Sequence, residues 1–236
     1  MKKMSLRALT FLATLALPGL AFASSIVVSV GNTAPTDPFN GGVPLVSGNT
    51  YGSAVLTSNF VAPFFTGTCG TNDVTANCDQ SWTFNYVIPA GQTITAASLS
   101  LGIWDIDSSQ AGNQVALYQV NGGDVLTGAL NTAAEALNGG TGSVNIEYDV
   151  FTFSLSNFGA LSGGSATVHI TLAGPGGGIL GPTTFNAADL VFSTLNITTQ
   201  NSTPPPTAPE PVSLLLIATG LGVGLRSRVR QALRRD

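Results

Sequence analysis

Two carboxylates two residues apart, in Asp105-Ile-Asp107-Ser-Ser109, are the residues of this chain best suited to cation chemistry. On a strand that spacing puts both on one face, and oxygen ligands of this kind suit calcium, the one cofactor the sequence suggests. The run is not an EF-hand: Gln110 stands where that loop needs glycine, and Ala116 where it needs the bidentate glutamate. Two carboxylates alone make a poor cage, so a solvated turn is the simpler reading and calcium, helped by backbone carbonyls, the chemical alternative.

Glu147 and Asp149 repeat the spacing around Tyr148. Paired carboxylates can hydrolyse a glycosidic bond when their separation is right and one pKa is raised. Acidic residues on strands more often keep edges from pairing, and no Lys or Arg is at hand to assist, so a glycoside hydrolase ranks last among the functional readings. His169 alternates with Thr167 and Thr171 against Val168, Ile170 and Leu172, which makes it a solvent-facing strand residue. No serine sits in a nucleophile-elbow pattern. Cys69 and Cys78 are best read as one disulfide of an exported chain, since a metal site would need further soft ligands. No catalytic residue is therefore expected. Trp104, Tyr118 and Tyr148 are the aromatic candidates for stacking on sugar rings, provided that they face outward. The glycines of Gly220-Leu-Gly222-Val-Gly224 and of 174–178 have neither the strand nor the lysine of a phosphate-binding loop.

The charge map narrows the partners. All 8 basic residues lie at the ends: Lys2, Lys3 and Arg7, then Arg226, Arg228, Arg230, Arg234 and Arg235. Between them the segment 24–208 carries Asp37, Asp73, Asp79, Asp105, Asp107, Asp124, Glu135, Glu147, Asp149 and Asp189, a formal −10 with no counter-charge. Such a body cannot neutralise phosphates, which excludes nucleic acid by the usual electrostatic route. Divalent cations and neutral, hydroxyl-rich partners remain.

The two ends have their own logic. Residues 1–23 have a basic start, an apolar stretch and Ala21-Phe22-Ala23 before Ser24, the pattern of a signal peptide removed by signal peptidase. At the other end a Pro- and Thr-rich linker, 199–208, leads into Pro209-Glu210-Pro211, an uncharged apolar run at 212–225, and the arginine cluster. At 14 residues the run is shorter than the ~20 that cross a bilayer comfortably, though the arginines can snorkel and fix the orientation.

This order of parts over 209–236 resembles the PEP-CTERM sorting signal of bacterial exported proteins. The resemblance implies recognition of Pro209, Glu210 and Pro211 by an exosortase, a membrane-embedded processing enzyme, and removal of the tail. It also implies a Gram-negative-type envelope and an association with exopolysaccharide. The chain is then exported across the inner membrane, held there briefly by its C-terminal helix, and delivered to the cell surface or extracellular matrix. It says nothing about the body.

For the body, 24–198, the signals are short alternating runs punctuated by Gly and Pro. Strands are expected at 25–30, 53–60, 81–88, 95–103, 114–120, 124–126, 143–148, 150–155, 166–172 and 189–197, with a bulge near Gly102 and a hairpin at Asn121-Gly122-Gly123. The one expected helix is short, at 132–137. About nine strands of this kind predict an all-β fold, a single jelly-roll-like β-sandwich. The stretch from Trp82 to Ile106 resembles the sandwich domains of exported bacterial proteins, among adhesin-like and carbohydrate-binding-like modules. The functional expectation is a non-enzymatic surface or matrix protein associated with exopolysaccharide. A carbohydrate-binding module, calcium-dependent or not, is the alternative.

Overall fold

Period-two alternation carries much of the described chain into antiparallel strands, because each strand then presents one apolar and one polar face. The structure is a computed structural model; it describes residues 23–64, 69, 77–104, 114–138, 147–174, 176–178, 181–183, 186 and 188–202. Residues 1–22 of the signal segment 1–23, the sorting motif Pro209, Glu210 and Pro211 with its tail, and the calcium candidates Asp105 and Asp107 lie outside the described residues.

In chain order the elements are β1 (Ala23–Gly31), β2 (Thr36–Asp37), β3 (Val43–Pro44), β4 (Asn49–Thr50), α1 (Ser53–Thr57), β5 (Asp79–Asn85), β6 (Gln92–Trp104) and β7 (Val115–Val120). They continue with β8 (Asp124–Val125), α2 (Thr127–Asn138), β9 (Glu147–Leu155), α3 (Phe158–Leu161), β10 (Ser165–Leu172), β11 (Gly176–Gly178), β12 (Gly181–Thr183) and β13 (Asp189–Asn201). One sheet has the order β1-β13-β6-β9-β4 and the other β5-β10-β7-β8; β2 with β3 and β11 with β12 form small ribbons. All the pairings in the two larger sheets are antiparallel.

The two sheets pack as a β-sandwich. Ala97, Leu99, Leu101 and Ile103 of β6 line the interior, as their spacing predicts, with Leu195 and Ile197 of β13 beside them. Facing them are Trp82 and Phe84 of β5, Val168 and Ile170 of β10, and Tyr118 and Val120 of β7. Tyr118 meets Phe153 of the opposite sheet edge-on, with ring centroids 5.9 Å apart.

A second, smaller core covers one end of the other face of the larger sheet. Trp104, Tyr148, Val191 and Phe192 are buried there beneath Leu56, with Leu45, Tyr51 and Phe60 packed around them. This corrects the expectation of a strand at 53–60: residues 53–57 form α1. Val55 and Leu56 are adjacent and both buried, which a half-buried strand of period two cannot achieve. Asn59 holds this covering segment in place. Its Oδ1 accepts from the Thr36 amide at 2.8 Å, and its Nδ2 donates to the Thr36 and Val55 carbonyls, each at 2.7 Å.

Three further expectations shift. The expected helix at 132–137 begins earlier, as α2 at Thr127. Leu130 and Ala134, one turn apart, are buried, while Asn131 Oδ1 accepts from the amides of Gln114 and Val115, each at 2.8 Å. The runs at 143–148 and 150–155 give one strand in the described residues, β9. The bulge expected on β6 lies opposite Gly102, on β13, where the register shifts between Leu190 and Phe192; a glycine marks where the partner strand crowds in. Among the described residues no helix is long and apolar enough to cross a membrane.

Candidate functional site

Sheet register brings hydroxyls into rows. Where β1, β13, β6 and β9 run side by side, Ser29, Thr194, Ser100 and Thr152 occupy one row across the four strands. Two residues along, Val27, Asn196, Ser98 and Ser154 form the next row, followed by Ser25, Thr198 and Ala96. Every member is exposed or half-buried, because the alternate residues of the same strands fill the core. Ser29 Oγ and Thr194 Oγ1 are 2.8 Å apart, as are Ser100 Oγ and Thr152 Oγ1. These bonds leave each hydroxyl further donor or acceptor capacity toward solvent. Strand geometry sets the spacing at about 4.8 Å across strands and roughly 6.7 Å between rows. No ionisable side chain interrupts the three rows.

The outer face of the other sheet is also polar but carries charge. Thr83 and Thr167 hydroxyls are 2.9 Å apart. His169, expected to face solvent, does so in part, with Nε2 2.8 Å from Asp79 Oδ1 and Thr171 Oγ1 3.3 Å away. Asp79 and Thr171 both meet the same ring nitrogen, Nε2, so these contacts do not form a triad relay; the histidine cross-links β10 to β5.

The aromatic candidates are in the wrong place for stacking on an open sugar. Trp104 is 4 % exposed, Tyr118 0 % and Tyr148 2 %. Trp104 and Tyr148 do point outward from the sheet, opposite one another on β6 and β9, but residues 32–60 roof them over. Tyr118 points into the sandwich, and burial pushes its phenol far up. Burial, followed by Tyr51 and Asp149 nearby, pushes the Tyr148 phenol up as well. The stacking surface expected of these three is therefore replaced by packing.

Glu147 and Asp149 lie at the start of β9, and Asp149 is fully buried. Burial, reinforced by the Glu147 charge, pushes its carboxyl up to about 6, against hydrogen bonding from the Gly48 amide and the Ser47 side chain. A carboxylate so enclosed offers no open face to a glycan. Cys69 and Cys78 are joined as a disulfide, and both are buried. Among the described residues there is no group of three or more His, Cys, Asp or Glu able to hold a metal.

The hydroxyl rows escaped a residue-by-residue reading because no single serine or threonine announces a site. Their signal was present as Ser25 and Ser29, Ser98 and Ser100, Thr194 to Thr198 at alternate positions. Seeing it as one surface requires the register between four strands that are distant in sequence. No protein-family model matches the chain, and no curated protein matches it either.

Proposed function

We propose that this chain is an exported, non-enzymatic surface or matrix protein whose sandwich lies against neutral exopolysaccharide. The observation that carries the reading is the uncharged face of Ser29, Thr194, Ser100, Thr152 and the two rows beside it. An array of hydroxyl and amide groups can exchange hydrogen bonds with sugar hydroxyls along a chain, each contact weak and the sum useful. The formal −10 of the segment 24–208 disfavours polyanionic glycans and leaves neutral ones. Several shallow contacts suit retention in a layer rather than tight capture of one oligosaccharide, which favours a matrix role over a dedicated carbohydrate-binding module.

The order in which strands enter the two sheets supports a jelly roll. From β5 onward, β5, β7, β8 and β10 join one sheet while β6, β9 and β13 join the other, and β13 closes beside β1. The sorting reading rests on the order Pro209-Glu210-Pro211, apolar run and arginines, and makes the tail a substrate of an exosortase. Two measurements test the whole. Co-sedimentation with an insoluble neutral polysaccharide and with an acidic one should show retention on the neutral polymer only, little changed by salt. The intact mass of the exported protein should fall by the tail when an exosortase is present; an unchanged C-terminus would sink the sorting half.

A further inference from the structure

The acidic pair at the start of β9 presents a problem that the described groups, Ser47 and the Gly48 amide included, solve only in part. Glu147 and Asp149 alternate on one face of the strand, and the chain runs beside them at the sheet edge, where Asn49 and Thr50 pair with Tyr148 and Glu147. Gly48, at φ +84°, turns its amide to the Tyr148 carbonyl at 2.9 Å and to Asp149 Oδ1 at 3.2 Å. Glu147 Oε1 approaches the same residue: a Cβ on Gly48 would lie 3.9 Å from it. Both carboxylates therefore lie near Gly48, and Asp149 is within hydrogen-bond reach of its amide. Asp149 is 0 % exposed, yet its Oδ2 has no hydrogen-bond partner among the described residues. No Lys or Arg exists anywhere from residue 8 to residue 225 to neutralise the pair.

We infer that Glu147 and Asp149, with the Ser47 hydroxyl beside them, form a binding site for a hard divalent cation of the calcium type. A buried carboxylate must be neutralised or paired, and here the choices are a proton or an external cation. The Glu147 charge makes the cation the better solution at neutral pH, since one ion answers both carboxylates. Every available ligand is oxygen, which favours calcium or magnesium over zinc or copper. The Ser47 Oγ accepts from the Val150 amide at 2.9 Å and keeps a lone pair, so the 47–50 turn would be held to β9 by the ion. This site is separate from Asp105 and Asp107 and does not depend on how the hydroxyl face is used.

The test is thermal unfolding of the full chain in mild detergent at pH 7.5, with millimolar Ca²⁺, Mg²⁺ or EGTA. Calcium should raise the melting temperature by roughly 3–8 °C over EGTA. The rise should vanish in Asp149→Asn and shrink in Glu147→Gln, while Asp105→Ala with Asp107→Ala should retain it. Glu147 is only half-buried, so its variant keeps the test decisive if Asp149→Asn does not fold. A wild type indifferent to both cations, or a full calcium rise in Glu147→Gln or Asp149→Asn, overturns the site.

Discussion

Phe192 occupies the space that a side chain at residue 102 would need: a Cβ on Gly102 would lie 2.3 Å from its ring carbons Cδ1 and Cε1. The two residues are paired across β13 and β6, just past the bulge at Val191. The missing side chain lets the ring settle over the strand and join Trp104 and Tyr148 in the second core. Gly102→Ala should therefore destabilise by about 1–3 kcal/mol through overpacking, read as an earlier midpoint in urea. Gly128→Ala, where a Cβ meets nothing within 4 Å, is the control.

Trp104 is a packing residue on this account. Trp104→Ala should cost about 3–5 kcal/mol, the usual loss for a buried aromatic. Retention on neutral polysaccharide, measured below the variant's melting temperature, should stay at the wild-type level. A folded Trp104→Ala protein that no longer binds would restore the stacking role.

The disulfide closes a loop with Cys69 and Cys78 nine apart in sequence, so its removal by Cys69→Ser with Cys78→Ser should cost about 2–3 kcal/mol. Differential scanning calorimetry under oxidising conditions measures it; reductant should lower the wild-type transition toward that of the double variant.

Asp149 gives a signed pH dependence. Its carboxyl is raised from 3.8 to about 6 in the folded chain, so the folded state holds the proton more tightly than the unfolded one. The stability from this group is fully present below pH 3.8 and is lost as pH rises through 6. With EGTA present, lowering the pH from 7.5 to 4.5 should therefore stabilise the protein through this residue by an amount on the order of 2 kcal/mol. The comparison is with Asp149→Asn, in which that part of the slope disappears; two parallel pH profiles would contradict it.

Much of the sandwich was legible in the sequence because the alternation is strict where a strand has one buried face. Ala97, Leu99, Leu101 and Ile103 predicted their own positions, and so did Val168, Ile170 and Leu172. Residues 53–60 misled because Val55 and Leu56 belong to a covering segment whose burial depends on Trp104 and Tyr148, which lie far along the chain. The same cover hid the aromatics. Nothing local to Trp104 tells whether an outward-pointing ring meets solvent or a roof. The hydroxyl face was illegible for the converse reason: each strand contributes only two or three small polar residues, and only long-range register makes them a surface.

The central claim is that this surface holds neutral polysaccharide, and one measurement tests it most directly. Ser29→Ala, Thr152→Ala and Ser154→Ala together remove three exposed hydroxyls; surface changes of this kind move stability little, about 0.5 kcal/mol each or less. Binding isotherms on an insoluble neutral polysaccharide should then show the triple variant roughly five-fold or more weaker than wild type, at an unchanged melting temperature. Equal binding by the two proteins, or a wild type that binds only an acidic polymer, would contradict the account.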